Sequence, residues 1–156
     1  MSELRLELKG LREEQARMTQ IVADLHGAPM LEGMRNATLL VTRDAKCFAP
    51  VDTGRLRASI TPEVRVSGPT TLQGIVGSNV TYAPFVELGT KPHWPPVGAL
   101  ATWAGRHGTV AFLVARAISR RGTKAVKYLE RGFTENIGRI VGYLDAAVGA
   151  IVRRNS

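Results

Sequence analysis

The residues best placed to do chemistry are Asp52-Thr53-Gly54, because Asp-Thr-Gly carboxylates that share a proton activate water in aspartic proteases. That chemistry needs the aspartate on a loop after a buried apolar strand and a second carboxylate beside it. Asp52 instead follows Cys47-Phe48-Ala49-Pro50-Val51 and precedes Arg55 and Arg57, whose charges oppose a proton-sharing state. Gly74-Ile75-Val76-Gly77 mimics the later glycine strand of a viral protease, but only about twenty residues separate the two segments, too few for the intervening sheet and flap. The simpler reading is a turn in which the Asp52 carboxylate accepts backbone N–H bonds and caps a short helix starting near Thr53, with Leu56 and Ile60 turned inward.

Other chemistry finds less support. There is no Gly-x-Ser-x-Gly element, and Cys47 carries no nucleophile signature. Gly74 and Gly77 precede Ser-Asn-Val rather than Lys-Ser or a helix, so they read as bulge or close-approach positions in a strand and not as a phosphate loop. His26, His93, His107 and Cys47 show no helical ligand spacing. No catalytic residue, metal or cofactor is expected. The single cysteine forms no disulfide within the chain and reads as a small buried hydrophobe.

Charge is the other feature that points to a partner. The formal net charge is +8, and residues 97–156 hold ten Lys and Arg against three Asp and Glu. Arg116, Arg120, Arg121, Lys124, Lys127 and Arg131 are spaced so that most share one side of a helical region. Such a side suits DNA phosphates or an acidic neighbouring protein, and it is also what a plain solvated helix face looks like. With no aromatics interleaved for base stacking, any nucleic-acid contact is expected to be electrostatic and blind to sequence.

The elements that must position these residues follow from periodicity. Leu4, Leu8, Leu11, Gln15, Met18, Val22 and Leu25 recur at steps of four and three, a narrow seam in a heavily charged helix that ends at His26-Gly27 and suits packing on a neighbour. A second helix follows Pro29, with Met30, Met34, Ala37, Leu40, Val41, Ala45 and Phe48 on one side, and stops at Pro50. The period then changes to that of strands, Ser59 to Ser67 and Thr71 to Asn79, around the Gly68-Pro69 turn. Pro84, Gly89, Pro92, Pro95 and Pro96 predict a long exposed loop from Thr81 to Pro96. Beyond it come a helix from Val97 to Gly108 and another over Ala111 to Arg121, closed by Gly122. A last helix of about seven turns is capped by Thr123, with Val126, Leu129, Phe133, Ile137, Ile140, Leu144, Val148 and Ile151 as its stripe.

These elements predict an α+β fold, a small antiparallel β-sheet flanked by several helices with long N-terminal and C-terminal helices. At 156 residues and 44% hydrophobic, the chain is expected to be a single domain over 1–156, with an N-terminal helical arm over 1–27, a core over 28–135 and a C-terminal helix over 124–153. No apolar run approaches the ~18 to 20 residues that span a bilayer, and the first residues lack a signal pattern, so a cytoplasmic protein with no membrane partner is expected.

Two segments carry a resemblance. Ala49-Pro50-Val51-Asp52-Thr53-Gly54-Arg55-Leu56-Arg57-Ala58-Ser59 and Val76-Gly77-Ser78-Asn79-Val80-Thr81-Tyr82-Ala83-Pro84-Phe85-Val86-Glu87-Leu88-Gly89-Thr90, in that order, resemble the tail-component, or neck, family of long-tailed phages, which includes head-tail joining and tail-completion proteins. The similarity spans about residues 45 to 135 and runs through His93-Trp94-Pro95-Pro96 and Ala115 to Lys124. The Pro-x-Pro-Phe-Leu-x-Pro-Ala run with which many members end the central loop is missing here. The resemblance implies a non-enzymatic virion protein, a homo-oligomeric ring subunit (hexamer or dodecamer) around the DNA passage. Its implied neighbours are connector and tail proteins, with passing genomic DNA contacted without sequence specificity. It implies location in the virion neck or tail, and in the host cytoplasm during assembly. A minor tail protein elsewhere on the tube and a sequence-independent DNA-binding protein are the alternatives. Within the two segments Asp52, Thr53, Gly54, Leu56, Tyr82, Pro84, Glu87, Gly89 and Thr90 are the structural candidates. Tyr82 and Phe85 are expected as packing anchors, Glu87 as a capping or inter-subunit acceptor and Gly89 as a left-handed turn, each equally compatible with ordinary intrachain packing.

Overall fold

The computed structural model describes residues 10–25, 27–68 and 71–155. Among them the chain is α+β, with eight helices and one two-stranded antiparallel sheet. In order these are α1 (Leu11–Asp24), α2 (Ala28–Phe48), α3 (Arg55–Ser59), β1 (Ile60–Gly68), β2 (Thr71–Ser78), α4 (Ala83–Leu88), α5 (Val97–Arg106), α6 (Ala111–Arg121), α7 (Tyr128–Thr134) and α8 (Ile137–Arg154). Both strands lie within a residue of their predicted limits. Leu4, Leu8, His26 and Pro69 lie outside the described residues. None of the described helices is long and apolar enough to cross a membrane.

The chain divides into two compact units. One comprises residues 1–40, 62–75 and 136–156, the other residues 41–61 and 76–135. In the first unit the leading half of α2 buries Gly33, Ala37, Thr38 and Leu40. Gly74 of β2 lies where any Cβ would come within 2.5 Å of Thr38 Cγ2, so it is a close-approach glycine, whereas Gly77 faces open space. α8 contributes the buried Ala147 and Ile151. The Asn155 side-chain amide donates to the Asp24 carboxylate at 3.0 Å, tying the end of α8 to the end of α1. Asp24 is held below its ordinary range chiefly by that bond.

The second unit has its own core of Ala45, Ala49, Leu56, Ile60, Ala83 and Tyr128, with Phe48, Val76, Val80, Val86, Val126 and Leu129 packed around it. Ser59 and Ser78 join hydroxyls at 2.7 Å where β1 starts and β2 ends. α5 packs along α6, and α4 along α7.

The molecule departs from three expectations. The stretch from Thr81 to Pro96 is not wholly irregular, because Ala83–Leu88 is helical with Pro84 in its first turn. A proline there removes only an N–H that has no helical partner anyway. The predicted seven-turn C-terminal helix is two helices parted at Glu135-Asn136, with Asn136, 3% exposed, at the N-cap position of α8 but making no side-chain cap bond. Burial along its stripe is uneven: Phe133 on α7 and Ile137 and Val148 on α8 are exposed while Ile151 on α8 is buried. Cys47 is exposed, on the side of α2 away from the buried Ala45 and Ala49.

Candidate functional site

The two segments singled out in the sequence both supply the second unit, and its local chemistry accounts for their residue types. Asp52 does not cap α3. The N-cap of that helix is Gly54, at φ 78°, with no side-chain cap bond. Asp52 instead takes a two-pronged ion pair from Arg106 at the end of α5, with Nε donating to Oδ1 at 3.0 Å and the terminal nitrogen to Oδ2. This fork matches the planar guanidinium to both carboxylate oxygens. The Arg106 hydrogen bonds hold the Asp52 carboxyl below its usual range. Leu56, two residues beyond Gly54, enters the core at 5% exposure.

Beside this turn lies a cleft of about 410 Å³ whose lining includes Asp52, Thr53, Tyr82, Trp103 and His107. The Trp103 and His107 rings stack at 4.2 Å, and His107 Nδ1 lies 2.9 Å from the Trp103 carbonyl oxygen. Tyr82 and Phe85 are 38% and 59% exposed, and the small residue between them, Ala83, is the buried one.

Glu87, Gly89 and Thr90 form a second constellation. The Glu87 carboxylate accepts the Leu129 and Glu130 N–H groups, both at 2.9 Å, and so caps α7 from about forty residues upstream. The backbone reciprocates: Val126 and Lys127 N–H groups donate to the Val86 and Glu87 carbonyls at the end of α4. Each helix thereby satisfies the other's unpaired terminal groups. Thr90 and Thr123 form an isolated antiparallel bridge, reinforced by a 3.0 Å bond between their hydroxyls, so Thr123 fastens this bridge and caps no helix. Gly89 and Gly122 flank it with φ of 71° and 69°, and a Cβ on Gly122 would lie 1.9 Å from the Thr90 oxygen. Both a positive φ and bare backbone are needed there.

The six basic residues differ in their partners. Lys127 pairs with Glu130 at 2.9 Å; Arg131 pairs with Glu135 at 3.2 Å and lies 4.0 Å over the Phe48 ring. Arg116, Arg120 and Arg121 stay together on α6, where with Leu113 and Ala117 they line an open cleft of about 400 Å³. Lys124 is exposed in the segment that follows. At the start of α6, Phe112 meets Trp94 edge to face at 5.8 Å.

Sequence reasoning missed Arg106 as the partner of Asp52, since no local pattern links residues 54 positions apart. It also missed Tyr128, fully buried in the core, because only the stripe residues around it were marked. Among the described residues no group of three or more His, Cys, Asp or Glu side chains comes together to hold a metal ion. Comparison with known protein families, with characterised proteins and with solved structures found no match in any of the three.

Proposed function

We propose that this chain is a structural protein of a tailed phage, a head-tail joining or tail-completion subunit that assembles as a hexameric or dodecameric ring around the DNA passage. The observation that carries the reading is α1. Its fourteen residues include none that is buried, and the seam residues Leu11, Met18, Val22 and Leu25 are all exposed. An amphipathic arm with its apolar seam in water gains stability only when another surface covers it. Exposed Phe85, Leu88, Val110, Phe112 and Leu113 in the second unit add to the apolar surface that a monomer leaves wet. The resemblance of residues 45 to 135 to neck proteins supplies the setting, and subunits of a closed ring need such unpaired surfaces on two flanks.

On this reading the subunit acts by shape and interlocking, and the Asp52 turn and Glu87 cap serve to hold its body together. Mass spectrometry of purified virions tests it: the chain is expected at single to low double digits of copies per particle. Its absence from particles overturns the proposal and favours the sequence-independent DNA-binding alternative.

A further inference from the structure

The charge excess belongs to one unit. Residues 41–61 and 76–135 hold twelve Lys and Arg against five Asp and Glu, whereas the other unit holds nine against eight. Every one of those five acids is already engaged. Asp44 pairs with Arg43, Asp52 with Arg106, Glu130 with Lys127 and Glu135 with Arg131, while Glu87 caps α7. From Leu88 to Leu129 the sequence has no acidic residue at all. Within that stretch Arg116, Arg120, Arg121 and Lys124 are exposed, and among the described residues none has a carboxylate in salt-bridge reach.

We infer that the outer face of α6, with Arg116, Arg120, Arg121 and the adjoining Lys124, is a binding surface for the phosphate backbone of duplex DNA. At 3.6 residues per turn the three arginines fall within an arc of about 140°, and they extend about 7.5 Å along the axis. One DNA strand offers a phosphate about every 3.4 Å, so this face meets two or three of them. The opposite side of α6 is taken up by packing, with Ala115 fully buried and Ala111, Val114 and Ile118 partly so. Leu113, 54% exposed, is the one large apolar side chain that lines the cleft with the three arginines, so charge dominates this face. Arg120 and Arg121 also suit the negative end of α6, but that role explains neither Arg116 nor Lys124. The same unit of a second copy offers no match either, because its five acids are already engaged. Nothing on this face reads bases, so binding depends on charge alone.

The inference stands apart from the place proposed in the virion. The test is a salt titration of the full chain on AT-rich and GC-rich duplexes, with polyglutamate and anionic phospholipid vesicles as further ligands. Binding is expected to be alike on both duplexes. The steepness of log affinity against log salt is expected to fall by about 1.8 to 2.7 in the R116Q/R120Q/R121Q variant, roughly 0.9 for each of the two or three phosphates no longer neutralised. The triple lysine variant should keep the slope, and R139Q/R153Q in the other unit should leave it unchanged. Failure of the full chain to bind duplex DNA at about 50 mM salt overturns the inference, as does a slope indifferent to the three glutamines. Preference for polyglutamate or vesicles over DNA overturns it equally. Particles that contain the chain while it binds no DNA would sink this surface and leave the ring intact; DNA binding by a chain absent from particles would do the reverse.

Discussion

Replacing Tyr128 by phenylalanine is expected to stabilise the second unit, which reverses the usual effect of trimming a core residue. The Tyr128 side chain is fully buried, and its hydroxyl has no hydrogen-bond partner among the described residues. An unpaired buried hydroxyl costs about 1 to 3 kcal/mol in lost hydration, and removal of the oxygen recovers it. The small void left behind forfeits part of that gain, roughly 24 cal/mol for each Å³ not refilled. A net stabilisation of about 0.5 to 2 kcal/mol follows, which raises Tm by about 2 to 6 °C for a chain of this size. Alkaline pH supplies an independent check. Burial first, then the charges of Glu87 and Tyr82, push the phenol above its ordinary value near 10. The unfolded chain therefore releases this proton first, and the wild type loses stability as pH rises above 10, by at most about 1.4 kcal/mol per pH unit. The Tyr128→Phe chain lacks this contribution, so its advantage should widen above pH 10. Denaturant titrations at pH 7 and pH 10.5, read by far-UV circular dichroism, measure both effects. A variant less stable than wild type at pH 7 would refute the reasoning and show that the hydroxyl has a partner, such as water entering from the cleft that Tyr128 shares with Glu87 and Leu129.

Other perturbations test the remaining assignments. Glu87→Ala strips two N–H partners from the start of α7 and should cost about 2 to 4 kcal/mol, while Glu87→Gln, which keeps one acceptor oxygen, should cost about half as much; equal stability by denaturant titration would dismiss the cap. Gly122→Ala puts a Cβ against the Thr90 oxygen at a positive φ and should cost about 2 to 4 kcal/mol, whereas Gly77→Ala, with open space around it, should be neutral or gain up to ~1 kcal/mol. The Asp52 carboxyl should titrate below 3.8 by carbon NMR because of Arg106, and Arg106→Gln should return its midpoint upward. Since its folded pKa is the lower one, the stability Asp52 adds is present above 3.8 and is lost as pH falls through the folded value. An unmoved midpoint in the variant would separate the two residues.

Sequence periodicity was sufficient for most element types, because apolar spacing reports which face of a local segment is buried. The strand pair, the α5 and α6 helices and the buried side of α2 were all legible in this way. Punctuation was less reliable. The prolines from 84 to 96 signalled a loop, yet Pro84 sits in the first turn of α4, where it does no harm. The stripe from Val126 to Ile151 hid a break at Asn136, because apolar residues on two successive helices can keep one period while facing different neighbours. Asn136 itself was the available signal, as a strong N-cap type inside a presumed helix.

The sequence by itself determined the fold class, the composition of both conspicuous segments and the basic character of the chain. Tertiary structure alone decided what those residues do. Asp52 meets Arg106, Glu87 caps a helix beginning about forty residues later, and the Gly89 and Gly122 backbones press around one bridge. It also divided the cations, giving Lys127 and Arg131 acidic partners and leaving three arginines of α6 without them among the described residues. The reason is one of range. Periodicity encodes contacts within a few residues, whereas an ion pair or a borrowed helix cap depends on which distant segments the core brings within about 3 Å.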